Sequence, residues 1–79
     1  MYFPGYKGGE AITPSDVTNF TRGVCNGIYV GGTGAIAMVM MDDTVVTLAA
    51  VPAGIILPFL AKRVNATGTA ATNLVALYA

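Results

Sequence analysis

The sequence predicts an all-β fold, a small antiparallel β-sandwich or barrel of about six strands that associates into an oligomer. The strands are predicted because apolar residues come in short runs, and Gly, Asn, Asp or Pro separates one run from the next. Association is predicted because 54% of the residues are hydrophobic and only 10% are charged, against about a quarter in average soluble proteins. A single domain of 79 residues leaves much of this apolar surface outside. We therefore expect protein partners or a membrane to cover part of it.

The chain divides into an N-terminal arm, residues 1–9, and a single β domain, residues 10–79. The arm places Tyr2, Phe3 and Tyr6 among Gly and Pro residues, and aromatic side chains are enriched at interface hot spots. We therefore expect the arm to dock on a partner. The predicted strands of the domain are residues 10–13, 23–30, 35–41, 44–50, 55–64 and 70–78.

The connections between these strands carry structural rather than chemical signals. Residues 13–16, Thr-Pro-Ser-Asp, have the pattern of a helix start, but the β-branched residues that follow limit it to a single turn. Residues 31–34, Gly-Gly-Thr-Gly, predict a β-turn rather than a phosphate-binding loop, because no helix follows them. Asp42 and Asp43 form the predicted two-residue loop of a hairpin.

Residues 44–61 contain no charged side chain and are the one candidate for a membrane-spanning helix. Pro52, Gly54 and Pro58 interrupt that helix, and each proline inside a helix costs about 3 kcal/mol. Two strands joined by a turn at residues 51–54 fit the same residues better. We therefore expect no membrane partner.

Two of the predicted strands are apolar on both faces. Residues 36–41 and 45–48 show no alternation of apolar and polar residues, whereas a half-exposed antiparallel strand alternates. A chain of this length has no helix to cover the second face. We therefore expect a neighbouring subunit to cover it in a tight oligomer.

The composition argues against catalysis, cofactors, metal ions and nucleic acid. The chain has no His, four acidic and four basic residues, and zero net charge, so it has neither a catalytic dyad nor a basic surface for phosphates. Cys25 is the single cysteine, and we expect it to pack as a small apolar side chain. The first residues lack the basic start and apolar run of a signal peptide, so we expect synthesis in a cytoplasm.

A series of segments resembles the small spike base proteins of phage-like gene transfer agents and tailed phages. The segments are residues 11–16, 27–34, 51–58, 63–69 and the terminal Leu77-Tyr78, in matching order and spacing, whereas residues 1–9 lie outside the resemblance. The resemblance implies a β-rich subunit on the virion capsid, made in the host cytoplasm and arranged as a ring at the vertices. The implied partners are other copies of the chain (a pentamer before a trimer), the major capsid protein and a spike fibre protein.

The contact regions expected from position are the arm and the connection at residues 51–58. The candidate interface residues of that connection are Val51, Pro52, Ile55, Ile56 and Pro58. Two other functions compete with the spike base. One is a capsid decoration or cement protein without a fibre, and the other is a small membrane-associated protein that uses residues 44–61.

Overall fold

The computed structural model describes residues 5–79, which form seven β-strands. The strands are β1 (Gly8–Ala11), β2 (Gly27–Tyr29), β3 (Gly34–Met40), β4 (Val45–Val51), β5 (Ile56–Leu57), β6 (Ala61–Val64) and β7 (Val75–Tyr78). They build a four-stranded sheet in the order β1-β7-β2-β5 and a three-stranded sheet in the order β4-β3-β6, and every pairing is antiparallel. Residues 5–79 contain no helix, which confirms the all-β prediction.

No helix in the described part of the chain is long and apolar enough to cross a membrane. Residues 44–61 instead supply β4, a turn and β5 before β6 begins at Ala61. Gly54 has a φ of 84° in that turn, a backbone conformation that favours glycine. The turn predicted at residues 51–54 is therefore confirmed.

One hydrophobic core lies between the two sheets. Its largest fully buried side chains come from both sheets and their flanking loops: Ile28, Ile36, Met38, Val30, Val64 and Cys25. Burying one aliphatic side chain of this size contributes about 1.5–3 kcal/mol. The burial of Cys25 confirms its packing role.

The fifth predicted strand, residues 55–64, is wrong as a single strand. The structure divides it into β5 in the four-stranded sheet and β6 in the three-stranded sheet. Pro58 has no N–H to donate to a ladder, and the Phe59 amide donates to the Leu57 carbonyl at 2.9 Å in a tight turn. The chain crosses between the sheets there, which also raises the strand count from six to seven.

The bounds of three other predicted strands differ from those in the structure. The first strand begins at Gly8 rather than residue 10, and β2 covers only Gly27–Tyr29 of the predicted 23–30. Gly23 has a φ of 89°, which ends regular extension before β2. The last strand covers only Val75–Tyr78 of the predicted 70–78, and Asn73 with a φ of 54° marks the break.

The β3–β4 hairpin has a three-residue loop, residues 41–43, rather than the predicted two-residue loop. The Met40 amide donates to the Thr44 carbonyl at 2.8 Å, and the Asp43 amide donates to the Met40 carbonyl at 3.0 Å. Asp43 takes a φ of 72°, as the last residue of such loops does. Asp43 also forms an ion pair with Lys62 of β6.

Both faces of β3 are buried within the single chain. Ile36 and Met38 face the core, and on the other face Ala37 and Val39 are only 4% and 3% exposed. Residues 65–69 run beside that strand: the Asn65 amide donates to the Ala37 carbonyl at 2.8 Å, and a loop threonine hydroxyl accepts from the Ala37 amide. The expectation that β3 needs a neighbouring subunit for its second face was therefore wrong.

Candidate assembly surface

Each of the four acidic side chains serves the local structure. Three accept hydrogen bonds from backbone amides, and Asp43 pairs with Lys62. The three carboxylates and their amide donors are Glu10 with Thr21 and Arg22 (3.1 and 3.2 Å), Asp16 with Thr67 (2.9 Å) and Asp42 with Thr44 (3.1 Å). These carboxylates therefore hold loops, and none is paired with a second carboxylate for acid–base chemistry.

The Cys25 thiol lies in the core and donates a weak hydrogen bond to the Phe59 carbonyl at 3.7 Å. Burial raises the pKa of this thiol above its usual value. Since the thiolate is the reactive form, the raised pKa disfavours reaction of this cysteine at neutral pH. The described residues also hold no group of three His, Cys, Asp or Glu side chains that could bind a metal ion.

The surface instead carries two apolar patches. The first, the hairpin-end patch, consists of Met41, Val45 and Leu60, whose exposed fractions are 58%, 57% and 43%. The Met41 amide donates to the Leu60 carbonyl at 2.9 Å, which joins the β3–β4 hairpin to the β5–β6 crossover. An open groove of about 480 Å³ lies between these two segments, lined by Met40, Met41, Asp42, Thr44, Pro58, Phe59 and Leu60.

The second patch, the β2–β5 patch, consists of Tyr29, Ile55 and Ile56, which are 39%, 36% and 38% exposed. Tyr29 and Ile56 are cross-strand partners, so their side chains are direct neighbours on the outer face of the four-stranded sheet. The Val30 amide donates to the Ile55 carbonyl at 2.9 Å and fixes the start of this segment. Pro52 is also exposed, in the turn that leads to this patch.

The structure separates the candidate interface residues predicted from the sequence. Ile55 and Ile56 lie in the β2–β5 patch, whereas Pro58 lines the groove of the hairpin-end patch. Val51 is 4% exposed and belongs to the core, so its side chain offers little to a partner. Pro52 is exposed in the turn between β4 and β5.

The predicted arm is only partly described. Tyr2 and Phe3 lie outside the described residues. Tyr6 is half-buried, and a Cβ atom added to Gly27 would lie 3.0 Å from the Tyr6 hydroxyl. The Lys7 amide donates to the Tyr78 carbonyl at 2.8 Å. This part of the arm is held by its own chain.

Sequence reasoning missed Met41, Val45 and Leu60, the three most exposed apolar side chains of the two patches. Met41 had a usable signal, because it precedes the two aspartates of a predicted turn and turn residues lie at the surface. Leu60 had none, because its exposure follows from the crossover that divides β5 from β6.

Comparison with solved structures finds a similar chain in the capsid of a gene transfer agent particle. No family model matches the chain, and no curated protein does either. A chain in the solved capsid of a native gene transfer agent particle, computed with C5 symmetry, is 33% identical and superposes with a TM-score of 0.82. The match covers 92% of this chain and 83% of that chain. The chain therefore belongs to the family of virion structural proteins of which this gene transfer agent capsid component is a member.

Proposed function

We propose that this chain forms the base of a head spike: a ring of five copies that sits on the capsid of a virion, at a vertex, and anchors a fibre. The observation that carries the proposal is the 33% identity, over 92% of the chain, to a component of a capsid computed with C5 symmetry. In a capsid with that symmetry, the fivefold axis relates the copies of every chain in sets of five. A base at a vertex has this symmetry.

The two apolar patches supply the surfaces that such a ring needs. A closed ring joins identical subunits through two different, complementary surfaces on each copy. The hairpin-end patch and the β2–β5 patch are formed by different strands, and all six of their side chains are uncharged. In this arrangement the hairpin-end patch of one copy packs against the β2–β5 patch of the next.

The surface area of the chain is sufficient for a ring with further partners. A standard protein contact buries about 800 Å² on each partner, so two ring contacts would cover somewhat over a third of the 4475 Å² exposed by residues 5–79. The remaining surface is available to the major capsid protein on one side and a fibre on the other. The role is mechanical and non-enzymatic, consistent with acidic side chains that hold loops and a thiol that is buried.

The first experiment is the native mass of the purified chain in detergent-free buffer, where we expect five copies. Three copies would favour a capsid decoration protein instead. A stable monomer would contradict association in solution, and aggregates that only detergent disperses would favour the membrane-associated function. Imaging of particles that carry a labelled chain then tests the vertex position: label away from the vertices contradicts a spike base.

Charge substitutions test whether the ring uses the two patches. We expect Leu60→Lys in the hairpin-end patch and Ile56→Lys in the β2–β5 patch each to give monomers, because every contact in the ring then contains one damaged patch. The matched control is Val17→Lys, since Val17 is 82% exposed and lies outside both patches, and this variant should remain assembled.

A mixture of the two patch variants gives a sharper result. Each variant keeps the patch that the other has lost, so one intact contact can form between them and a heterodimer should appear. A mixture that stays monomeric would show that the two patches do not face each other. A patch variant that keeps the mass of the parent would show that its patch is not in the contact.

A further inference from the structure

Three of the four sheet edges are protected within the chain. The outer edge of β6 is covered by residues 15–25, which we call the strap. The amides of Ser15, Phe20 and Cys25 donate to carbonyls of β6 residues at 2.9 Å each, so three carbonyls of this edge have partners within the chain.

The two outer strands of the four-stranded sheet are protected differently. The Arg22 guanidinium donates to the Gly9 carbonyl at 3.5 Å and lies 4.8 Å from the centre of the Tyr78 ring, so it rests across β1. A Cβ atom at Gly8 would collide with this guanidinium. The other edge, β5, has only two residues, and short edge strands offer little to a foreign strand.

The fourth edge, β4, is seven residues long and contains no charged residue and no proline. The Met40 amide donates to the Thr44 carbonyl, and in an antiparallel ladder hydrogen-bonded and non-hydrogen-bonded residue pairs alternate. The amides and carbonyls of Val45 and Thr47 therefore point away from β3. Within residues 5–79 these groups have no backbone partner. Natural proteins usually block such an edge with lysine, proline or a covering segment, because it can pair with another chain.

We propose that an extended segment of the neighbouring copy pairs with the free edge of β4, so that the three-stranded sheet continues across the subunit contact. This inference rests on the proposed ring and names the backbone contact within it. The occupant is a second copy of this chain because β4 begins directly after Thr44, which lines the groove of the hairpin-end patch, so the edge adjoins the proposed ring contact. The edge is also uncharged, so copies of a chain with zero net charge meet there without repulsion. The ring makes the contact heterologous, so the neighbour contributes a segment other than β4.

Hydrogen exchange of single amides tests the pairing directly. In the assembled parent, we expect the amides of Val45 and Thr47 to exchange at least about 100-fold more slowly than in the monomeric Leu60→Lys variant, because only assembly gives them partners. The Val46 amide is the internal control: its position on the β3 side of the ladder should make it slow in both. A ring in which the Val45 and Thr47 amides exchange as fast as in the monomer overturns the inference while the ring itself stands.

Substitution of Thr47 provides the second measurement. Thr47→Pro removes the outward backbone amide and should convert the ring to monomers. Thr47→Val changes only the exposed side chain and keeps the backbone amide, so this variant should stay assembled. Circular dichroism checks that the proline variant is folded, and if it is not, Thr47→Lys replaces it, because a lysine on the edge also opposes pairing. If the Thr47→Pro and Thr47→Lys variants both keep the mass of the ring, the inference is overturned. A monomeric parent overturns it as well, since β4 then has no second copy to bind.

Discussion

The two edges of the three-stranded sheet differ in one respect: the chain covers β6 and leaves β4 open. At β6, the strap donates three backbone hydrogen bonds, and the Phe20 side chain packs against the core. At β4, Val45 is 57% exposed and Thr47 is exposed beside it. A chain that can close one edge with its own residues has the means to close the other. The open edge therefore needs an explanation, and the proposed pairing with a second copy would supply one.

The same comparison separates an apolar sequence from an apolar surface. The residues of β3 and β4 are similarly hydrophobic in sequence. Residues 65–69 lie against β3, where a Cβ atom added to Gly68 would be 3.2 Å from the Ala37 Cβ atom. Asp16 holds this loop by accepting hydrogen bonds from the Thr67 amide and hydroxyl at 2.9 and 2.7 Å. No loop among residues 5–79 donates a backbone hydrogen bond to the outer edge of β4. Exposure, rather than hydrophobicity, therefore distinguishes the β4 surface that we propose as a contact from the covered surface of β3.

The largest expected effect is on the closed side, where Phe20→Ala should open the strap. Phe20 is partly buried against the core, and its amide donates to the Lys62 carbonyl at 2.9 Å. Removal of a partly buried phenyl ring should lower the free energy of unfolding by about 2–3 kcal/mol, below the range for full burial. Urea unfolding of the monomeric Leu60→Lys background measures this without a contribution from assembly.

The control for the strap is Val17→Ala, a truncation in the same segment at a side chain that is 82% exposed. Its effect should stay within about 0.5 kcal/mol, as for most surface substitutions. Equal losses for the two variants would mean that the Phe20 ring does not anchor the strap.

An identical substitution on the two edges gives the next effect in size. Val64 on β6 is 1% exposed and Val45 on β4 is 57% exposed. In the monomeric background, Val64→Ala should cost about 1–2 kcal/mol of unfolding free energy, and Val45→Ala less than about 0.5 kcal/mol. In the assembled parent, Val45→Ala should weaken the ring instead. A monomer that loses as much stability from the β4 substitution as from the β6 substitution would remove the distinction between the edges.

The sequence was sufficient for the features that depend on neighbouring residues. The short apolar runs predicted an all-β chain, and Pro52 with Gly54 predicted the turn after β4. Because the chain has no second cysteine and no histidine, Cys25 was predicted to pack as a small apolar side chain, and it lies in the core. Each of these follows from local backbone preferences or from a single side chain, so the pattern along the chain contains the necessary information.

The sequence was not sufficient for features that depend on distant residues. Residues 55–64 look like one strand, and their division between the two sheets depends on the long-range pairing of β5 with β2 and of β6 with β3. The strap has no strand pattern, and its function appears only when the Cys25 amide is seen to bond Ala61. The open edge of β4 could not be predicted for the same reason, because whether another segment pairs with it depends on residues distant in the sequence.

The smallest expected effect concerns the hydrogen bonds between Asp16 of the strap and Thr67 of the loop at residues 65–69, which we call the latch. Hydrogen bonds from the amide and then the hydroxyl of Thr67 lower the pKa of the Asp16 carboxyl below its usual value. A carboxyl whose pKa is lower in the folded chain stabilises the fold above the unfolded pKa, and this contribution is lost as the pH falls through the folded pKa. The stability advantage of the parent over Asp16→Asn should therefore decrease as the pH falls below the ordinary carboxyl pKa of 3.8.

Thermal unfolding across this pH range measures the latch, with Thr67→Val as the matched variant. Thr67→Val removes the hydroxyl but leaves the amide, which is the larger cause of the lowered pKa, so its pH dependence should lie between those of the parent and Asp16→Asn. If the parent and Asp16→Asn melt in parallel at every pH, the carboxylate does not hold the loop. The outer face of β3 must then be closed by the backbone hydrogen bonds of residues 65–69 alone, and the contrast with β4 would rest on those bonds and the strap.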